Sequence, residues 1–343
     1  MLIDGAARSG SGTIVRHSIA LASLLGVDIS IENIRAGRDK PGLRAQHLTV
    51  VQACSEMCRG AVGNVSVGSK SLSYTPGERF RGGAYSWDIG TAGSTVMMAQ
   101  TLLPLACFAD QPSRFRIEGG VFQDFAPSAY HMKYVLLPLL SRMGARAELD
   151  IIRPGYVPRG GGIIELKVEP VAKLKALALT GQGEILNIGG LALSSHLSGK
   201  RVSGRMAFEC RRVLRLQGYD AAIQEIEDDS ALQEGAALAV YAETTTGSRI
   251  GFDRAGRPGR SSESIGRYVA QGFVDDIATG AAVDRYAADQ LIMYAALAEG
   301  VSRYSVPRIT DHVETNVWLV EELLGARTKV DGSFLEIEGI GFN

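Results

Sequence analysis

The chain has 343 residues, of which 45% are hydrophobic and 21% charged, with 41 glycines and a net charge of −1. This is the composition of a turn-rich globular protein long enough for more than one domain. Near-neutrality excludes a globally basic nucleic-acid binder but permits a local cationic patch, because an anion responds to the field at its own site.

The opening MLIDGAARSG reaches Asp4 and Arg8 without an apolar run, so no signal peptide is expected. A small-residue turn then leads into an amphipathic helix and a strand, GSGTIVRHSIALASLLGVDISIENI. A basic loop, IRAGRDKPGLRAQH, opens a second helix that carries Cys54 and Cys58. These two, with Cys107 and Cys210, form no CxxC pair and read as small core residues in the reducing cytoplasm. The order returns in TAGSTVMMAQTLLPLACFADQPSRFRIEGG, followed by the helix of VFQDFAPSAYHMKYVLLPLLSRMG and the strand AELDII. VMMAQTLLPLACF is the most apolar stretch, but Gln100 and Pro104 interrupt it and it is too short to span a bilayer, so no membrane partner is expected.

Between about 180 and 277 the pattern changes. EILNIGGLALSSHL is strand-like, SGKRVSGRMAFECRRVLRLQG is a helix closed by Gly218, AAIQEIED and ALAVYAET alternate as strands, and SIGRYVAQGFVDDIATG is a helix. Arg201, Arg205, Arg211, Arg212 and Arg215 on the first of these helices read as a solvated face in preference to phosphate ligands. The earlier order then resumes in DRYAADQLIMYAALAEGVSRYSVPRI, the helix of TDHVETNVWLVEELLG and the strand SFLEIEG.

The second helices open near Gly42, Pro127 and His312, about 85 and about 185 residues apart, where tandem repeats should keep one period. The excess of about 100 residues predicts an α+β fold with three tandem βαβαββ-type repeats in 1–180 and 278–343. A smaller α+β domain, 181–277, is expected to be inserted between the second and third repeats.

Loops entering equivalent helices sit at equivalent ends of similar sheets, so a shared site is expected there. The first loop packs Arg35, Arg38, Lys40 and Arg44 together, with Arg16 on the preceding helix and His47 just beyond. Guanidinium forks in that density suit a phosphate-rich ligand, although a solvated basic loop fits the text as well. The turns RSGSGTIVR and IGTAGSTVMM offer free N–H groups at helix starts, but neither completes a Walker or dinucleotide motif.

In the last helix, Asp311 and Glu314 predict a capping box with Asp311 as N-cap, and Val313, Val317, Val320 and Leu324 predict a buried stripe ending at Gly325. His312 then falls in the first turn, on the flank of the stripe. The helix dipole disfavours imidazolium there, which suits a nucleophile as well as it suits a structural histidine. His17, His131 and His196 have no such context. YAADQ, residues 286–290, places a ring, a carboxylate and an amide at another helix start, fit to stack on a base, orient an imidazole or hold a metal, or simply to begin a helix.

Five stretches in order, IRAGRDKPGLRAQHLTVV, DIGTAGSTVMMAQTLLP, GYVPRGGG, YAADQL and HVETN, resemble the RNA 3'-terminal phosphate cyclases. The resemblance implies three units like the C-terminal domain of translation initiation factor three with an inserted smaller domain. It also implies a cytoplasmic enzyme that uses ATP and a divalent metal, Mg or Mn, to close the phosphate at an RNA 3' end into a 2',3'-cyclic phosphate. By motif match His312 is the adenylylated nucleophile, and Gln100, Tyr286, Ala287, Ala288, Asp289 and Gln290 stand at nucleotide-binding positions. Arg16, Arg35, Arg38, Gln46 and His47 stand around the phosphates and the RNA end.

The chain departs from the family pattern at RSGSGT, where Ser9 replaces an expected glutamate and Thr13 a glutamine, and at APSAY, where Ser128 replaces a proline and Tyr130 an aspartate. A lost carboxylate weakens divalent-metal binding and leaves the metal ligands open, and the sequence does not specify an oligomeric state. Two other readings fit the scaffold: a non-catalytic RNA-binding paralogue acting in RNA or ribosome maturation, and an enolpyruvyl transferase built from similar repeats.

Overall fold

A computed structural model describes residues 1–78 and 80–343. The chain begins with β1 (Leu2–Asp4), α1 (Gly12–Leu25), β2 (Ile29–Glu32), α2 (Ala45–Cys58), β3 (Ala61–Val62) and β4 (Leu72–Thr75). The strands lie in the order β1-β2-β4-β3, with β1 and β2 parallel and the other pairs antiparallel. Parallel neighbours need a crossover, and α1 supplies it. In β2, Ile29 and Ile31 are buried and Ser30 and Glu32 exposed, the period-two pattern of a sheet covered on one face.

The same order recurs with β5 (Gly83–Asp88), α3 (Thr95–Cys107), β6 (Ser113–Gly119), α4 (Ala129–His131), α5 (Leu137–Arg142), β7 (Arg146–Arg153) and β8 (Gly162–Glu169). A π-helical turn, Met132–Leu136, joins α4 to α5. The sheet is β5-β6-β8-β7, again with its first pair parallel.

After β9 (Ala178–Leu179) come β10 (Ile185–Ser195), α6 (Val202–Leu216), β11 (Ala222–Glu227), β12 (Gly235–Thr244), β13 (Arg249–Ala255) and α7 (Ser262–Ile277). Their sheet is β11-β10-β12-β13, and an apolar cluster including Met206, Leu214, Leu238, Phe252 and Phe273 lies between it and α6 and α7. β13 was not among the strands expected from the sequence, although Arg249, Gly251 and Asp253 alternate with the buried Ile250 and Phe252; its antiparallel register with β12 holds it extended.

The chain closes with α8 (Ala287–Gln290), α9 (Ile292–Leu297), β14 (Glu299–Ser305), α10 (Asp311–Leu324), β15 (Arg327–Asp331) and β16 (Phe334–Ile340). β14 pairs in parallel with the distant β9, giving β9-β14-β16-β15, so three of the four sheets share one strand order and one pattern of directions. A larger apolar cluster runs through these three, and α1 packs against α2, α3 and α10. The helices expected near Gly42, Pro127 and His312 start at Ala45, Ala129 and Asp311. All four cysteines are free and buried. Among the described residues no helix is long and apolar enough to cross a membrane.

Candidate active site

A cavity of about 1020 Å³ opens between α1, the basic loop, α3, the loop before α4, β13, α8 and the start of α10. Arg16, Arg35, Arg38, Gln46, His47, Gln100, Tyr286, Asp289, Gln290 and His312 all line it. Ala287 and Ala288 do not: their methyl groups are fully buried behind it.

One wall is cationic. Ser11 caps α1 by accepting the Thr13 N–H, and Gly12 follows because a Cβ there would strike Nε2 of His47. His47 Nδ1 accepts the Arg44 N–H at 3.2 Å, which leaves the proton on Nε2. Burial, and then Arg16, Arg35 and Arg44, push its pKa down to about 3, so the ring is neutral. Arg16 is only 8% exposed. Burial pulls its pKa down to about 10, with Asp289 opposing and Arg35 adding to the fall. Its guanidinium donates to Thr13 Oγ1 at 3.3 Å. Arg35 donates to the Lys40 and Gly42 carbonyls at 2.7 and 3.0 Å, and Arg38 to the Ser9 carbonyl at 3.0 Å. Gly42 has φ +79°, and a Cβ on it would strike the Gly68 carbonyl, so the loop turns there only on glycine. None of these guanidinium hydrogen bonds reaches a carboxylate.

His312 faces this wall from the first turn of α10. The N-cap is Thr310, not Asp311: Thr310 Oγ1 accepts the Val313 N–H at 3.3 Å, and Asp311 is the first helical residue. The buried face also differs from the expected stripe. Val313 and Val320 are buried, but Val317 and Leu324 are only half-buried, and Thr315, Asn316, Leu319 and Leu323 complete the face. Polar residues belong to it because they have partners across the fold. Thr315 Oγ1 accepts the Ser9 N–H at 3.2 Å, and Asn316 donates to the Asp289 carbonyl at 2.9 Å. His312 stays off this face with its ring open to the cavity. Enclosure by the walls, and then Arg16 and Arg38, lower its pKa against the opposing Asp311. His17, which had no context in the sequence, also lines the cavity, and burial and Arg16 push it down to about 3.

Another stretch of the lining is acidic and aromatic. His131 Nε2 lies 3.1 and 3.0 Å from the two oxygens of the buried Asp284. Asp284 also accepts the N–H groups of Gly251, Tyr286 and Ala287, each at 2.8 Å. One carboxylate therefore ties α4, β13 and the start of α8 together and sets Tyr286 in the wall. Burial alone would lower the His131 pKa, but Asp284 outweighs it and the pKa is raised. Burial raises that of Asp289 to about 7. Gln100 Nε2, Gln290 Oε1 and Tyr294 Oη, on residues that line the cavity, are buried without a hydrogen-bond partner. Such groups cost free energy until a ligand meets them.

Of the residues that depart from the family pattern, Thr13 lines the cavity beneath Arg16, and the other three serve the scaffold. Ser9 Oγ bonds Ser11 Oγ at 3.0 Å, Ser128 caps α4 by accepting the His131 N–H at 3.1 Å, and Tyr130 is buried against Phe122. Among the described residues no group of three or more His, Cys, Asp or Glu side chains is arranged to hold a metal ion.

The model of the family described as RNA 3'-terminal phosphate cyclase matches residues 7–330. A protein of that name from Pyrobaculum aerophilum is 37% identical over 99% of both chains. Another from Hyperthermus butylicus is 38% identical over 94% of this chain and 91% of the relative, and one from Nitrosospira multiformis is 36% identical over 96% and 92%. The solved enolpyruvyl transferase NikO from Streptomyces tendae aligns with 99% of this chain and 51% of its own at 13% identity and a TM-score of 0.28, too weak a likeness to carry an argument. The chain belongs to the RNA 3'-terminal phosphate cyclase family.

Proposed function

We propose that the chain uses ATP to convert an RNA 3'-terminal phosphate to a 2',3'-cyclic phosphate through His312. The observation that carries this reading is a neutral imidazole and a set of guanidinium groups without carboxylate partners lining one cavity. An imidazole nitrogen of His312 attacks the α-phosphorus of ATP as its bond to the bridging oxygen breaks and pyrophosphate leaves. An oxygen of the RNA 3'-phosphate then displaces the histidine, and the neighbouring 2'-oxygen attacks the 3'-phosphorus and expels AMP. Arg16, Arg35 and Arg38 hold the phosphates, so that electrostatic positioning supplies much of the rate. Tyr286 offers a face for the base, and Gln100, Gln290 and Tyr294 offer polar atoms for its edge and sugar.

Among the described residues the side chains do not assemble a metal site on their own. A divalent ion entering with the nucleotide would depend mainly on the phosphate oxygens.

The strand order shared by three sheets supports three repeats in 1–180 and 278–343, and the separate apolar cluster under α6 and α7 supports an inserted domain of 181–277. A second reading, an RNA-binding paralogue without chemistry, is favoured by Ser9 alone, which stands where a carboxylate is expected. Incubation with α-labelled ATP and Mg or Mn, followed by denaturation, separates the two. The expected label on the chain is stable to alkali, lost in mild acid and absent from His312→Ala. No label, or label surviving that substitution, removes the adenylylation mechanism. A labelled chain that leaves a 3'-phosphorylated oligonucleotide uncyclised removes the substrate.

A further inference from the structure

The loop between β6 and α4 carries Phe125 in the left-handed backbone region, φ 62°, with its ring 98% exposed. A bulky residue in that conformation, with its apolar ring wholly in water, gains nothing for the fold. Its neighbour Asp124 gathers three guanidinium groups: Arg260 at 2.7 Å, Arg254 at 3.3 Å and Arg257 at 3.8 Å. Three cations around one carboxylate leave the patch with an excess of positive charge. Arg254 also lies over the ring of Tyr268, 4.2 Å from its centroid, and that ring is 46% exposed. Phe125, Asp124, Arg254 and Tyr268 all border the cavity, and the exposed rings of Phe125 and Tyr268 place this patch at its mouth.

We propose that this rim binds the single-stranded RNA nucleotides on the 5' side of the reacting end. Bases stack on Phe125 and Tyr268, and backbone phosphates meet Arg254 and Arg257. The alternation of open rings with surplus cations is what a flexible polyanion with π faces requires, and stacking of this kind accepts any base. A small anion or a nucleotide held in the cavity has no use for a ring pointing into solvent. The inference rests on the proposal that the cavity takes an RNA 3' end, and it gives that RNA its path out of the site.

The test is binding without ATP, by fluorescence anisotropy, of a 3'-phosphorylated dinucleotide and of a longer single-stranded RNA with the same 3' end. The wild-type chain should bind the longer strand more tightly. Phe125→Ala should weaken the longer strand by roughly 5- to 150-fold, the range for losing a stacked base, and leave the dinucleotide unchanged. Phe125→Tyr, which keeps the ring, should retain the affinity. Arg257→Gln should lower the slope of log affinity against log salt by about one. Equal loss on both lengths, no loss in Phe125→Ala, or a wild-type chain indifferent to RNA length overturns the inference, the last result assigning the rim to another kind of partner. A chain that shows the length dependence but forms no adduct with ATP keeps the rim and loses the proposed chemistry. One that forms the adduct without length dependence does the reverse.

Discussion

Two arginine-rich regions use the same residue type to opposite ends. On α6, Arg205, Arg211, Arg212 and Arg215 each meet a carboxylate, Glu263, Glu225, Glu209 and Asp220, at 2.7 to 3.1 Å. In the cavity, Arg16, Arg35 and Arg38 bond only neutral oxygens. The α6 charges are already answered, so that face is a solvated scaffold. Burial, and then neighbouring guanidinium groups, lower the pKa of Arg16 and of Arg35, a cost the fold bears and an anion repays. What marks an anion site is guanidinium charge in excess of the carboxylates that answer it, complete in the cavity and partial around Asp124, and not the number of arginines.

Removal of Arg16 tests the contrast most severely. Arg16→Gln should reduce adduct formation with ATP about 100-fold or more, the scale of losing one well-placed donor to a developing charge. It should leave the melting temperature unchanged or higher, because the guanidinium is buried without an ion pair. A protein that unfolds instead would make Arg16 a structural residue like those of α6.

The next effect is on pH dependence. Burial, Arg16 and Arg38 lower the His312 pKa, so the adduct should form at a constant rate above the ordinary histidine range and slow only at more acid pH. Arg38→Ala removes one cation, raises that pKa and should move the acid limb of the rate profile toward neutral pH. A limb that stays put would mean that Arg38 does not act on the ring.

Asp289 predicts a smaller change, in stability. Its folded pKa, about 7, lies above its ordinary value of 3.8, so folding favours the protonated form. The stability this gives is fully present below 3.8 and is lost as pH rises through about 7. Asp289→Asn should therefore melt a few degrees above the wild type at pH values beyond 7 and lose that advantage in acid. An advantage independent of pH would exclude this titration. The smallest effects belong to α6: Arg205→Ala and Arg215→Ala should change adduct formation by less than about two-fold, since exposed ion pairs contribute little. A large loss of activity there would bring α6 into the site.

Much of the scaffold was legible because it rests on local periodicity. The two-residue alternation of β2 and the apolar runs of α1 and α2 are written in neighbours, and so is the placing of a histidine in the first turn of α10. The cap of that helix was misread by one residue because Thr310 and Asp311 are both good caps, and only the geometry chose Thr310. Its buried face was misread because Thr315 and Asn316 look solvent-facing until their partners Ser9 and Asp289 are in place. His131 gave no signal, since its meaning lies in a carboxylate 153 residues away.

By itself the sequence determined most of the helices and strands, where the cations cluster, and that His312 stands at a helix start beside a basic loop in the family's order of motifs. Only the tertiary structure decided which arginines stay without carboxylates, which histidines are neutral, and which polar atoms are left buried and unmatched in one cavity. The physical reason is that secondary structure follows from side-chain spacing within a few residues, whereas charge and solvation depend on everything within a few ångströms, including pairs such as Ser9 and Thr315 that stand 306 residues apart along the chain.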